Sequence, residues 1–241
     1  MHGVWNYLEI LALGQTSADR VRAGYPLRGW EHVDRAREAG KGLIMVSAHV
    51  GAFSSAGQIV GLSGVPTTVL VEQIQPPALH DRLSRLREKF GLRMLVADRS
   101  AIRHIMSALR HNECVGMMCD RDVAGTGELL PFFGKETRVT TAAATIALRT
   151  GAVVLPVVGY RTGFMTGPAI VTEPVEMPHT GNVADDVREG TLRILARLES
   201  FIREHPEQWV VFEDLWRYGT IPRTRPESAP RVRSTTGSEP L

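Results

Sequence analysis

The stretch Gly42 to Ser54, GLIMVSAHVGAFS, constrains the fold of this chain more than any other. Leu43 to Val46, continuing towards Ala48, is an unbroken apolar run without polar alternation. That is the pattern of a strand covered on both faces, as in a parallel sheet lying under helices. Gly51 then permits a sharp turn, and the small, apolar segment Ala52 to Val60 reads as the helix that follows. His49 is thereby placed at the C-terminal edge of a parallel strand beside a helix N-terminus, where open α/β sheets hold their ligands. A lone histidine after a strand is more often structural than catalytic, so the rest of the chain has to decide.

Similar units recur along the sequence. Met1 to Leu13 is a short helix with little polar face, suited to packing on the domain or to lying in a lipid interface. Thr16, Ser17 and Asp19 supply caps for the next turn, and Trp30 to Ala39 is an amphipathic helix closed by Gly40. The β-rich run within Val65 to Glu72 predicts a second parallel strand, broken by Pro76 and Pro77. Ala78 to Phe90 reads as an arginine-rich helix ending at Gly91, followed by a strand over Arg93 to Val96 and a helix from Ser100 to Arg110 capped by Ser100. Cys114 to Cys119 is a further buried strand, and it delivers Asp120 and Asp122 at its C-terminal end.

Gly125 to Lys135 reads as a loop, and Thr140 to Thr150 as a helix of small residues stopped by Gly151. Strands over Val153 to Val158 and Ala169 to Thr172, and a long helix over Val183 to Glu204, complete the pattern, with Trp209 to Phe212 expected to close the sheet. Successive βα units of this length predict a single α/β domain over residues 1–219, with a mostly parallel central sheet flanked by helices. Residues 220–241, rich in proline, serine, threonine and arginine without periodicity, read as a disordered tail.

At 241 residues the chain buries a sizeable core without a disulfide. Its formal charge of +2 gives no field for nucleic acid, and no basic helix interleaved with aromatics argues for one. Cys114 and Cys119 do not fall at a metal-ligand spacing and read as buried free thiols of a reducing compartment. No stretch approaches the ~20 apolar residues that cross a bilayer, and no basic region with an apolar core opens the chain. The expectation is a cytoplasmic protein. GxSxG, P-loop, GxGxxG and HExxH patterns are absent, as is any plausible metal-ligand cluster.

Five blocks carry a family resemblance: SAHVGAF (Ser47 to Phe53), VEQIQPPALHDRLSRLREKFG (Val71 to Gly91), CDRD (Cys119 to Asp122), PFFGKETRVTTAAATIALRTGAVVLPV (Pro131 to Val157) and HPEQWVVF (His205 to Phe212). Together they resemble the lysophospholipid acyltransferase superfamily. The similarity is to the branch with bacterial lipid A lauroyl/myristoyl acyltransferases and actinobacterial phosphatidylinositol mannoside acyltransferases. The resemblance implies transfer of a fatty acyl group from acyl-CoA or acyl carrier protein, as co-substrate and without a cofactor, to a hydroxyl of a phospholipid or glycolipid. It also implies peripheral contact with the inner face of the cell membrane. Relatives usually carry an upstream membrane-docking segment, and this chain begins at what resembles the end of it.

Such transfer needs a base, a group that orients it, and donors to the oxyanion. In the family the base is a histidine followed by four residues and an acid. His49 matches the first position, but Ser54 occupies the second. A serine carries no charge to support an imidazolium. The resemblance to mannoside acyltransferases points to an acid on another strand, Asp120 or Asp122, with Asp120 the preferred partner; Glu72 and Glu128 are further substitutes. Arg87 matches an arginine placed near the acceptor's anionic head, where a guanidinium suits phosphate. Gly134, Lys135 and Arg138 belong to the block that shapes the acceptor site. Two rival readings follow from Ser54 and the chain's start: a lipid-binding protein without turnover, and an acyltransferase for a soluble acceptor.

Overall fold

The computed structural model describes residues 2–98 and 100–216. The predicted tail lies outside the described residues. In chain order the elements are α1 (His2–Leu13), α2 (Ala18–Gly24), β1 (Leu27–Arg28), α3 (Trp30–Glu38), β2 (Leu43–Ser47), α4 (Phe53–Ala56) and α5 (Gln58–Gly61). They continue with β3 (Thr67–Val71), α6 (Pro77–Glu88), β4 (Leu92–Val96), α7 (Ala101–Arg110), β5 (Cys114–Met118), β6 (Glu128–Phe132) and β7 (Lys135–Val139). The last four are α8 (Ala142–Thr150), β8 (Val153–Gly159), β9 (Ala169–Val171) and α9 (Val183–Glu204).

The apolar run becomes β2, buried at every position. It lies in the middle of a seven-stranded sheet of order β1-β9-β8-β2-β5-β3-β4, parallel at every junction except β8–β9. Its side chains divide by alternation. Ile44 and Val46 pack with Val115 and Met117 against helices α7, α8 and α9. Leu43 and Met45 pack with Cys114 against Val33 and Ala36 of α3. Both faces are covered, which is why the sequence carries no polar alternate here.

At the end of β2 the chain turns at Gly51, whose φ is +66°. A Cβ there would stand 2.2 Å from the Gly159 carbonyl oxygen. Only glycine lets the turn pass so close to β8. The expected single helix after it is two short pieces, α4 and α5, divided at Gly57, where glycine weakens propagation.

Three further expectations are corrected. The segment Gly125 to Lys135 is mostly not a loop: β6 and β7 form an antiparallel hairpin of five residue pairs. Phe133 and Gly134 between them both have positive φ, 53° and 74°, as a two-residue hairpin turn demands. Pro131 obscured the strand, yet it is tolerated because both strands of an isolated hairpin are edges. The segment Trp209 to Phe212 adds no strand to the sheet and makes only a bridge, Val50 to Trp209. The start of α7 is capped by Asp98, whose Oδ1 accepts from the Ser100 and Ala101 backbone N–H groups, and Ser100 makes no side-chain cap bond.

Candidate active site

His49 follows β2, and Asp120 follows β5, its parallel neighbour. The ladder continues one step past β5, through the bond from the Cys119 N–H to the carbonyl of Ser47 at the end of β2, 2.8 Å. The two strand ends thus deliver the residues side by side. Asp120 Oδ1 accepts from His49 Nδ1 at 2.8 Å, and Oδ2 accepts from the His49 backbone N–H at 2.8 Å and from Trp209 Nε1 at 3.0 Å. The carboxylate is fully buried, while the imidazole keeps 20% of its side-chain surface and lines a cavity. Burial alone pushes the Asp120 carboxyl up. The His49 charge and the donated hydrogen bonds outweigh it and hold the group below the usual carboxylate range. An ionised carboxylate only accepts, so Nδ1 carries a proton, and the neutral form of the ring presents its Nε2 lone pair away from Asp120. The Phe53 ring meets the imidazole edge-on, with centroids 5.2 Å apart.

The cavity has a volume of about 740 Å³. Met45, Val69, Met94 and Met118 are among its apolar lining residues, and the methionines are flexible. Beside these, Arg87 from α6 enters the same cavity and donates from Nε to Ser54 Oγ at 3.1 Å. Among the described residues Arg87 forms no ion pair, and burial lowers its pKa. Ser54 therefore faces the guanidinium, whose charge-assisted hydrogen bond it accepts without bringing a countercharge. The residue in the expected acid's position serves the cavity's cation, and the imidazole takes its acid from β5.

A profile of the family described as bacterial lipid A biosynthesis acyltransferase matches residues 6–218. The chain belongs to this family. Among curated relatives it is similar to a phosphatidylinositol mannoside acyltransferase of Mycobacterium tuberculosis, 31% identical over 196 residues that cover 78% of this chain and 58% of the relative. It is also similar to one from Mycolicibacterium smegmatis, 26% identical with 77% and 60% covered. A lipid A biosynthesis acyltransferase of Haemophilus influenzae is 27% identical, with 78% and 58% covered. The chain spans about three fifths of the length of these relatives.

In this acyltransferase-family chain the other candidates stand apart from the imidazole. Asp122 lies at the cavity rim, but its Oδ1 accepts from Gly125 N–H and its Oδ2 from Gly127 N–H, so it shapes the loop into β6. Gly134 and Lys135 form the hairpin tip, with Lys135 Nζ 5.9 Å from the Trp216 ring centroid. Arg138 donates to the Gly127 carbonyl at 2.7 Å. None of these three lines the cavity. Glu72 pairs with Arg121, which also holds Glu213 at 3.0 Å, and Glu128 is exposed at the start of β6.

Two features escaped the sequence reading. Trp209 reaches the buried carboxylate, and the only available signal was its place in the HPEQWVVF block. Glu9 and Arg161 form a buried pair: Nε and Nη2 of the guanidinium donate to the two carboxylate oxygens at 3.0 and 2.9 Å. A single charged residue in the mostly apolar α1 gives no hint of this.

Proposed function

We propose that this chain transfers a fatty acyl group from a thioester donor, acyl-CoA or acyl carrier protein, to a hydroxyl of a phospholipid or glycolipid. The acceptor fitting the relatives' names is a phosphatidylinositol mannoside-like lipid. The observation that carries the reading is an imidazole locked by a buried carboxylate at Nδ1, with its other nitrogen at a largely apolar cavity that also holds Arg87, a cation without an acidic partner among the described residues. Its volume falls in the ~300–1,000 Å³ range of ligand sites.

In this mechanism His49 Nε2 removes the acceptor's hydroxyl proton as the oxygen attacks the thioester carbonyl. Asp120 stays ionised and supports the imidazolium that forms. Collapse breaks the C–S bond, and the leaving thiolate takes the proton back from His49. Arg87 holds an anionic group of the acceptor. Transfer is direct: burial pushes the Cys114 and Cys119 thiols up to about 12, so neither supplies a thiolate nucleophile.

Peripheral contact with the inner membrane face is part of the same proposal. Helix α1 turns Asn6, Glu9, Ile10 and Leu13 inward and presents Val4, Tyr7, Leu8 and Leu11 outward. Gly3, Asn6, Tyr7 and Ile10 of that helix line the cavity, so the helix that carries the apolar face also forms part of the cavity wall. Among the described residues no helix is long and apolar enough to cross a membrane.

The test is acyl transfer from radiolabelled palmitoyl-CoA to a membrane lipid extract, comparing the protein with His49→Ala. Acylated lipid from the parent alone supports the reading; equal product from both, or none from either, overturns it. Flotation with anionic vesicles tests the membrane contact, and protein left wholly in the soluble fraction would favour a soluble acceptor.

A further inference from the structure

The segment that follows α9 is bound to the His49 turn at Gln208 and Val210. Gln208 accepts from Gly51 N–H through its carbonyl at 3.1 Å, and Val210 N–H donates to the His49 carbonyl at 2.8 Å. The Gln208 side chain is clamped in turn, accepting from Arg161 N–H at 2.8 Å and donating to the Arg161 carbonyl at 3.0 Å. Between these anchors Trp209 points inward. Its ring is held edge-on by Phe132 at 5.9 Å and by Trp216 at 6.2 Å, and it lies tilted against Phe133 at 5.6 Å.

An indole has one donor, and here it goes to Asp120 Oδ2. The consequence is geometric. An aspartate side chain held by one donor pivots about it, whereas Asp120 is held from three directions by the imidazole, the His49 backbone and the indole. The first two belong to the residue that Asp120 is meant to orient. Trp209 is the one donor of the three that comes from outside the pair, so it ties the carboxylate to a part of the fold that does not move with His49. The aromatic packing also keeps water off Oδ2, and hydrogen bonds to a charged group strengthen where solvent is excluded.

We infer that Trp209 is a positioning residue: its indole N–H holds the Asp120 carboxylate in line with His49, and residues 208–210 complete the site from the far end of the chain. This rests on the proposed role of His49 and Asp120, and the experiment has an arm that does not depend on turnover. Trp209→Phe keeps the ring packing and removes the donor. The expected result is a kcat lower by roughly tenfold to a hundredfold with KM nearly unchanged. In an Asp120→Asn background the same substitution then costs little, because its partner is already gone.

The spectroscopic arm follows the downfield proton resonance of His49 Nδ1–H in the free protein. It should be present in the parent, absent in Asp120→Asn, and shifted or broadened by exchange in Trp209→Phe. An unchanged resonance, or additive losses of kcat in the double variant, would overturn the assignment to Trp209. If the parent shows the resonance but no acyl transfer, the functional reading falls and the resonance in Trp209→Phe still decides the positioning role. Should Trp209→Phe not fold, the question passes to the indole N–H signal of Trp209 in Asp120→Asn. A marked upfield shift there supports the contact, and an unmoved signal overturns it.

Discussion

Two buried carboxylates, Glu9 beside Arg161 and Asp120 beside His49, are each held by a nitrogen base and end in opposite states. Arg161 meets Glu9 through two parallel bonds, donates to Asn6 Oδ1 at 2.8 Å and touches His2 Nδ1 at 3.1 Å. Glu9 also accepts from Ser55 Oγ at 2.6 Å and from Met165 N–H at 3.1 Å. Every oxygen and nearly every donor in that pair is turned to protein, and the result joins α1 to the end of β8 and to α4. In the other pair only the carboxylate is saturated. Its partner keeps one nitrogen towards a cavity. The difference teaches how to separate a structural ion pair from a reactive one in this fold: burial is common to both, and the unfilled position marks the site.

The largest expected effect comes from breaking the saturated pair. Arg161→Met leaves the Glu9 carboxylate buried without its cation, a loss of ~3–5 kcal/mol in stability for pairs of this kind. Urea denaturation measures it. The double change Glu9→Leu with Arg161→Met should recover a large part of that loss, because well-packed apolar residues replace buried pairs at little cost. A double variant no more stable than the single one would show that the pair has more than a packing role.

Breaking the open pair should act on turnover. Asp120→Asn is isosteric but removes the charge that supports the imidazolium, with an expected fall in kcat of ~10²–10⁴-fold. It also changes the pH dependence of stability, with a fixed sign. The folded Asp120 carboxyl is held below its ordinary range. The stability this adds is complete above the ordinary carboxylate range and disappears as pH falls through the depressed value. Denaturation midpoints followed into acid should therefore fall more gently in Asp120→Asn. A parallel acid slope in the two proteins would contradict the placement of the charge.

What the sequence made legible follows the same divide. Strands buried on both faces carry their position in unbroken apolar runs, so β2, β5 and the parallel sheet could be read directly. The polar residues that end those runs, His49 and Asp120, could be read with them. Asp122 looked equivalent because it leaves the same strand; only the register separates them, since Asp120 stands beside the end of β2 while Asp122 turns into the next loop. The hairpin β6–β7 was hidden by Pro131 and by a turn whose first residue, Phe133, is an unusual choice for positive φ. Trp209 and Arg161 were hidden for another reason: their partners lie 89 and 152 residues away. No local pattern records a contact of that kind.

The comparison extends to the cavity beneath the open pair. Gly116 sits in the middle of β5, level with Met45 and Val69, and lines the cavity in spite of its central place in the sheet. The nearest atoms to a Cβ there would be those of the Val69 side chain, from 3.4 Å. Glycine inside a strand marks a close approach by something else, and in the proposed reaction that is the acyl chain. Gly116→Met should shorten the space below His49 and shift donor preference from palmitoyl-CoA towards lauroyl-CoA, by about tenfold in the ratio of kcat/KM. An unaltered chain-length profile would place the acyl chain along another wall.

The smallest effect is the most discriminating. Ser54 stands where the family places an acid, so Ser54→Asp would rescue a defective imidazole if that acid had been its partner. The geometry gives a different outcome. Ser54 Oγ accepts from Arg87 Nε, so an aspartate there meets the guanidinium and forms the ion pair that Arg87 lacks among the described residues. His49 already has its carboxylate, and kcat should stay within about threefold of the parent, under 1 kcal/mol in barrier height. The change belongs in KM, which should rise several-fold for an anionic acceptor as the new carboxylate competes for Arg87. An uncharged acceptor should not feel it. A rise in kcat of orders of magnitude would instead mean that the acid on β5 does not support the histidine in turnover.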